Sequence, residues 1–292
     1  MPNHTPPKYA PHLPPVYVMM NRAGSVGKTT FANTVFTEAS LRGYRGLMVD
    51  ADLQSDLSYW YGYDGDFVPA GTPTVHDLML RRAKLQDVIV PARSRIAPGD
   101  SDDSFAIIPG LDLVRGDIKM AQADGELVVQ DDKGLAVFWL RDVLKKQVEQ
   151  YQYDFIVIDA PASYARLSQS LLVAGTDVIT MMRPMRKELR GARALAKEVL
   201  DLNIAFEDYD TAPQCTWYCI NDAKAESQGK FFINRQVEAQ SAYGDRLLPG
   251  IRNAVVVAEA FDAQEPLPIW APKSESMTVF RDITDRIGFP AR

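Results

Sequence analysis

A glycine-containing loop near the start of the chain is the segment best suited to hold phosphate groups. An apolar run at 16–21 leads into the sequence NRAGSVGKTT at 21–30, and helical character follows over 28–42. A turn between a buried strand and a helix directs several backbone N–H groups at one point, and the positive end of the helix dipole adds to their field. In such a loop we expect Lys28 to reach phosphate oxygens and the Thr29 hydroxyl to bind Mg²⁺. The loop therefore predicts a nucleotide-binding site.

The loop departs from the strict pattern G-x-x-x-x-G-K-[ST], because Arg22 occupies its first glycine position. Taken alone, this segment could also be a tight strand-to-helix turn with an exposed lysine. If it is a phosphate loop, the residues expected to contact the nucleotide are Gly24, Ser25, Val26, Gly27, Lys28, Thr29 and Thr30. The choice between the two interpretations depends on the rest of the chain.

Three carboxylates stand where further predicted strands end. Asp50 and Asp52 lie at the end of the apolar run GLMVD, and Asp159 ends the run FIVID. In an open parallel sheet, ligands gather at the carboxyl ends of the strands. Carboxylates at that edge can hold Mg²⁺ through its waters and orient an attacking water. One such aspartate could simply cap the next helix, but three of them downstream of a GKTT loop favour a nucleotide site.

The elements that must position these residues alternate along the chain. Further apolar runs lie at 105–109, 177–182 and 215–220, and residues 135–150 have the pattern of an amphipathic helix. Short buried strands separated by helices predict an α/β fold, a doubly wound and mostly parallel sheet with helices on both faces. Residues 93–104, which contain PGDSDDS, are predicted to form a surface loop.

The composition is typical of a globular protein with an ample core. The 292 residues carry a formal net charge of -6, and 46% of them are hydrophobic. The two cysteines, Cys215 and Cys219, cannot build a disulfide framework or a cysteine-rich metal site, so we expect a reducing cytoplasm. We expect no signal peptide and no membrane span. Residues 1–15, with six prolines, are predicted to be an extended tail, and residues 16–292 a single domain.

Five segments resemble, in the right order, the ParA/MinD family of deviant-Walker ATPases, whose phosphate loop reads x-K-G-G-x-x-K-[ST]. They are VDADLQSD (the switch region), IIPGLDL (the middle strand), YDFIVIDAPAS (the Walker B region), TDVITMMRPMRKE, and the closing stretch at 251–284. The closing stretch favours the ParA branch over MinD. Because only the proline-rich stretch precedes the first strand, the chain resembles the short ParA type.

The resemblance implies a doubly wound fold, ATP and Mg²⁺ as cofactors, and a nucleotide-sandwich homodimer that forms with ATP. It implies that Lys28 binds phosphate and that Asp52 positions the hydrolytic water, which makes these two the expected catalytic residues. It places Asn221 at an adenine-contacting position. The residues implied to hold the metal are Thr29, Asp50 and Asp159.

The family's signature lysine, which reaches the partner's phosphates across the dimer, is replaced here by Ala23, and the second loop glycine by Ser25. A methyl group cannot stabilise developing phosphate charge. Three interpretations remain. Arg22 turns into the site, or Arg186 or Lys187 supplies the charge, or hydrolysis is slow and ATP only gates the dimer. The McdA-like members also lack the loop lysine and are thought to supply one from later in the chain, which favours Lys187.

A basic stripe follows the strand at 177–182. The residues that share one side of a predicted helix, at spacings of four, three and four, are Arg186, Arg190, Arg193 and Lys197. On an otherwise acidic chain, such a stripe suits binding to DNA phosphates, which needs charge but no base reading. The resemblance likewise implies non-specific DNA binding by the ATP-bound dimer. A solvated helix face would give the same pattern.

These features predict a ParA-like ATPase that segregates plasmid or chromosomal DNA, is nucleoid-associated in the cytoplasm, and is switched off when a ParB-like or other adaptor stimulates hydrolysis. Three alternatives stay open: an McdA-like positioner of a protein compartment, an ATP-gated dimer with negligible hydrolysis, and a small-molecule enzyme of the same fold. We expect no membrane partner, because the C-terminal segment FRDITDRIGFPAR has acids among its basic residues and a proline near its end.

Overall fold

The computed structural model describes residues 13–65, 67–96, 104–131, 135–163, 165–209, 211–224 and 229–292. The strands are β1 (Val16–Met19), β2 (Gly46–Asp50), β3 (Ile89–Arg95), β4 (Phe105–Val114), β5 (Phe155–Asp159), β6 (Asp177–Met182) and β7 (Gln214–Ile220). The helices are α1 (Lys28–Leu41), α2 (Asp56–Trp60), α3 (Val75–Met79), α4 (Leu85–Val88), α5 (Met120–Gln130), α6 (Trp139–Gln147), α7 (Arg166–Ala174), α8 (Arg186–Ala205), α9 (Lys230–Tyr243), α10 (Val255–Asp262), α11 (Leu267–Trp270) and α12 (Glu275–Arg286).

The strands form one sheet in the order β3-β4-β2-β5-β1-β6-β7. Every neighbouring pair is parallel except β3 and β4, which are antiparallel. Parallel neighbours need a crossover between them, and the intervening helices supply it. The predicted doubly wound, mostly parallel α/β fold is therefore confirmed.

Alternate residues of each strand serve the two faces of the sheet, because successive side chains of a strand point to opposite sides. In β1, Val16 and Val18 join the core cluster that contains residues of α5, α6 and α7. Tyr17 and Met19 join the cluster that contains residues of α1, α10 and α12. β1, β2, β5 and β6 are buried on both faces, which explains their continuous apolar runs.

The register brings the predicted site residues to one edge of the sheet. Met19, the last residue of β1, lies opposite Asp159 of β5, and Asp50 of β2 lies opposite the same Asp159. The loop that follows β1 and the two aspartates therefore share the carboxyl edge of the sheet, where ligands bind in this fold class.

Several predicted boundaries differ from the structure. The run at 16–21 is a strand only as far as Met19, the strand predicted at 105–109 continues to Val114, and residues 135–150 contain a short 3-10 turn before α6. The loop predicted at 93–104 was wrong in part, because residues 93–95 belong to β3. The sequence IVPARSR contains no continuous apolar run, because this strand lies at the edge of the sheet and pairs on one side only. Proline is tolerated in such edge strands. Residues 97–103 and 1–12 lie outside the described residues.

No helix in the described ranges is long and apolar enough to cross a membrane.

Candidate functional site

A cavity of about 630 Å³ lies at this edge of the sheet. Its volume is within the range of small-molecule sites. The predicted site residues that line it are Gly24, Ser25, Val26, Gly27, Lys28, Thr29, Thr30, Asp52 and Asn221. Two distant parts of the chain thus meet in one cavity, the loop that follows β1 and Asn221 from the end of β7.

The loop is fixed to β6 and β7 by asparagine side chains. The buried Asn21 amide donates to the carbonyl of Met181, and its side-chain oxygen accepts the Ala23 N–H at 3.1 Å. On the other side, the Asn221 amide donates to the carbonyl of Val26 at 3.0 Å. These hydrogen bonds hold the loop in place along the wall of the cavity.

Lys28 is the strongest indication that the cavity takes an anion. Its side chain is buried, yet within the described part of the chain it forms neither a hydrogen bond nor an ion pair. A buried ammonium group is costly unless an anion compensates for it. Because Lys28 begins α1, the free backbone N–H groups of the first helical turn lie beside it. The arrangement is that of a phosphate site.

Thr29 and Asp159 form the part of the site that fits a magnesium ion. The Thr29 hydroxyl donates to Asp159 Oδ2 at 2.6 Å, while Oδ1 of this buried aspartate has no hydrogen-bond partner in the described structure. Burial raises the pKa of Asp159 to about 7, whereas the Lys28 charge and the Thr29 hydrogen bond act in the opposite direction.

Among the described residues no group of three His, Cys, Asp or Glu side chains could hold a metal ion by itself. Mg²⁺ in nucleotide sites uses one or two protein ligands, with phosphate oxygens and waters completing its shell. The hydroxyl of Thr29 and the carboxylate of Asp159 are oxygen ligands of the kind that such a shell would use.

Asp50 does not line the cavity. It is buried, and its Oδ2 accepts hydrogen bonds from the Ser58 N–H at 2.7 Å and the Ser58 hydroxyl at 2.6 Å. The Ser58 hydroxyl oxygen in turn accepts the Gly116 N–H at 2.7 Å. Burial raises the pKa of Asp50 to about 8, and the charge of Asp159 adds to the effect. Asp50 therefore joins α2 to the segment after β4, and its metal role stays a prediction.

Asp52 lies on the cavity wall, where its Oδ1 accepts the Gln54 N–H at 3.0 Å in a local turn. The other lining residues are not predicted from the sequence as nucleotide contacts, and they are Phe31, Leu53, Gln54, Asp56, Pro161, Ala162, Ser163, Ile251, Arg252, Asn253, Ala254, Val257 and Phe280. Most of them lie inside the segments that resemble the ParA/MinD family, so that resemblance is the signal that could have indicated them. Nothing in the sequence pairs Phe280 with a loop more than 200 residues away.

None of the three candidates for the missing loop cation, Arg22, Arg186 and Lys187, lines the cavity, and all three are described residues. Arg22 pairs with Glu198 of α8 at 3.2 Å. Lys187 is exposed and has no hydrogen-bond or ion-pair partner in the described structure. It lies one turn before Gly191, where an added Cβ would be 3.7 Å from the Cβ of Arg22. The first turns of α8 therefore pass beside the phosphate loop.

The basic stripe lies on α8, as predicted, and all four of its members are exposed. Their charges are not equally free. Arg193 pairs with Glu238 of α9 at 2.9 Å, and Lys197 pairs with Asp201 at 2.5 Å. Within the described residues Arg186 and Arg190 have no such partner. The uncompensated positive charge is thus concentrated at the start of α8, together with Lys187.

Comparison with known proteins gives a consistent result. Residues 15–208 match the profile of a family described as an AAA domain. The cell division protein PomZ of Myxococcus xanthus is 26% identical over 273 residues, which is 92% of this chain and 76% of PomZ. The chromosome partitioning protein ParA of the same organism is 27% identical over 184 residues, 63% of this chain but only 57% of that relative. Among solved structures, a complex of Cyanothece McdA with ATP matches with a TM-score of 0.76 at 18% identity, covering 95% of this chain and 97% of McdA.

Proposed function

The chain belongs to this AAA-domain family, in its ParA/MinD group of P-loop ATPases, and on that premise we propose that it is a positioning ATPase with DNA as its cargo. In this proposal it binds ATP with Mg²⁺, forms a sandwich homodimer with ATP, and binds DNA without sequence preference. An adaptor protein then stimulates ATP hydrolysis, and the protein is released from the DNA. The observation that carries the proposal is the buried, unpaired Lys28 facing a cavity beside the Thr29–Asp159 pair.

Each residue has a defined task in this proposal. Lys28 and the backbone N–H groups of the loop neutralise the phosphates, and the metal, when bound, supplies further positive charge to the phosphoryl oxygens. Thr29 holds the metal directly, with Asp159 behind it. Asp52, on the wall of the cavity, positions the attacking water. Asn221, which is hydrogen-bonded to Val26 of the phosphate loop, contacts the adenine of the nucleotide.

We assign to Lys187 the charge that the loop lacks at Ala23. Lys187 is exposed and has no partner among the described residues, and its helix passes beside the loop, so it is available to the phosphates of a partner subunit. Arg22 would first have to break its ion pair with Glu198 before it could reach a phosphate. If neither cation acts, hydrolysis is slow and ATP serves only to hold the dimer together.

A second candidate function is the positioning of a protein assembly instead of DNA. It is favoured by Ala23, because the McdA-like branch named above also lacks the loop lysine. The relatives themselves include both a chromosome partitioning protein and a cell division protein. Co-purification of the bound cargo from cells separates the two candidates.

Light scattering of the purified protein without nucleotide, with ADP and with ATP–Mg²⁺ tests the proposal. We expect a dimer that appears only with ATP–Mg²⁺. Lys28→Ala should abolish nucleotide binding, and Asp52→Ala should bind ATP and stay dimeric. Lys187→Ala should weaken the dimer, whereas Lys197→Ala, on the same helix but paired with Asp201, should not. A persistent monomer, or a dimer indifferent to nucleotide, would contradict the proposed mechanism.

A further inference from the structure

Asp56 is a carboxylate of the cavity to which the proposed function gives no task. It lines the cavity as the first residue of α2, directly after Ser55, whose backbone is left-handed at φ 55°. Within the described structure its side chain forms no hydrogen bond and no ion pair. Asp52, by contrast, uses one carboxylate oxygen in its own turn. Asp56 therefore offers a free carboxylate to whatever fills the cavity.

The position of Asp56 is fixed by the residues that follow it. Leu57 is buried, Ser58 is bound to Asp50, and the Trp60 indole N–H donates to the carbonyl of Glu265 at 3.1 Å. These interactions anchor α2 on the side away from the cavity. A carboxylate on a rigid element can orient a ligand, which one on a mobile loop cannot.

The charges around Asp56 indicate which kind of ligand its carboxylate faces. Asp56 is exposed on one side, and its partial burial, followed by the negative charge of Asp52, raises its pKa. The pKa of Asp159 is raised chiefly by burial, and the charges of Asp52 and Asp56 add to the effect. The three carboxylates thus act on one another at the end of the cavity where Lys28 and Thr29 lie. A triphosphate placed there without a cation would meet repulsion from all three, opposed by Lys28 and by Arg252 on the cavity wall, while Ala23 brings no charge to the loop.

We propose that Asp56 is a metal-positioning residue, whose carboxylate accepts hydrogen bonds from waters on the nucleotide-bound divalent cation, so that the site takes metal–ATP and rejects free ATP. This inference rests on the proposed nucleotide site. It agrees with the absence of a three-ligand metal cage among the described residues, because Asp56 needs no direct bond to the metal. Residues that bind the outer coordination shell of a metal in this way tune the affinity of the protein for that metal.

The test uses the full chain and Asp56→Asn, with Mn²⁺ titrated into protein and ATP and followed by electron paramagnetic resonance. We expect the affinity for Mn²⁺ to fall about 10-fold, the lower end of what loss of an outer-shell partner costs. The affinity for ATP in excess chelator should rise, because one repelling charge is gone. Asp56→Glu, which keeps the charge, should keep the preference for metal–ATP. Asp262→Asn, on an exposed residue that does not line the cavity, is the matched control and should behave as the wild type.

The outcomes separate this inference from the proposed function. If the wild type binds metal–ATP and Asp56→Asn changes neither the Mn²⁺ affinity nor the affinity for free ATP, Asp56 does not position the metal, and the proposed function stands. If the wild type binds no nucleotide with or without metal, the proposed function and this inference are both wrong.

Discussion

The side-chain amide of Asn221 donates a hydrogen bond to the backbone carbonyl of Val26 across 3.0 Å, and thereby ties the end of β7 to the phosphate loop. The two residues are 195 positions apart in the chain. Close by, Gly27 has a left-handed backbone at φ 87°, and a Cβ added there would lie 2.4 Å from the Asn221 amide nitrogen. The loop therefore depends on both the hydrogen bond and the missing side chain.

Replacing Gly27 should disable the loop. In Gly27→Ala the new methyl group collides with Asn221, and the left-handed backbone costs a further 1–2 kcal/mol or so. We expect loss of nucleotide binding, measured by titration calorimetry with ATP–Mg²⁺. Gly125→Ala on α5 is the control, because a Cβ there meets nothing within 4 Å and the residue does not line the cavity. Equal loss in both variants would show that the collision is not the cause.

Removing the Asn221 amide should have a smaller effect. A single hydrogen bond contributes about 0.5–1.5 kcal/mol, so Asn221→Ala should weaken ATP binding by up to about 10-fold. The variant should remain folded, which circular dichroism checks. In the double variant Gly27→Ala/Asn221→Ala the collision is relieved but the backbone strain stays, so binding should recover only in part. Full recovery would contradict the role given to the left-handed backbone.

DNA binding should depend on the unpaired half of the basic stripe. We expect Arg186→Ala/Arg190→Ala to lower the affinity of the ATP-bound protein for random-sequence DNA. The slope of the logarithm of the binding constant against the logarithm of the salt concentration should become shallower by about 2, that is, by about one for each phosphate that an arginine no longer neutralises. Arg193→Ala/Lys197→Ala removes the same charge but from residues already paired with Glu238 and Asp201, and should change both quantities less. Fluorescence anisotropy at several salt concentrations measures this. The reverse order of effects would place the DNA surface elsewhere.

The stability of the protein without nucleotide or metal should fall as the pH rises, in part because of Asp50. Its pKa in the folded protein is about 8, above the ordinary 3.8, so the folded state holds the proton more tightly than the unfolded state does. The resulting stabilisation is complete below the ordinary pKa and is lost as the pH rises through the folded value. Asp50→Asn should flatten this dependence in chemical denaturation with a chelator present. Asp262→Asn should leave the slope as in the wild type, and parallel curves for all three proteins would refute the assignment to Asp50.

The local parts of the site follow from short stretches of the amino-acid sequence. A strand, a glycine-containing turn and a helix that starts at Lys28 are set by neighbours along the chain, so the phosphate loop could be predicted from ten residues. The same holds for the basic stripe, because helical spacing places its members on one side of α8 whatever the helix packs against. The alternation of strands and helices likewise predicted a parallel sheet.

The contacts between distant residues, in contrast, become visible in the folded protein alone. Asp50 and Asp52 are two positions apart and both follow a buried run, yet one turns inward to Ser58 and the other lines the cavity. Arg193 pairs with Glu238, which is 45 positions away on α9. These contacts depend on how whole helices and strands pack. Their packing is set by the shapes and charges of many residues spread along the chain, so no local sequence pattern predicts it.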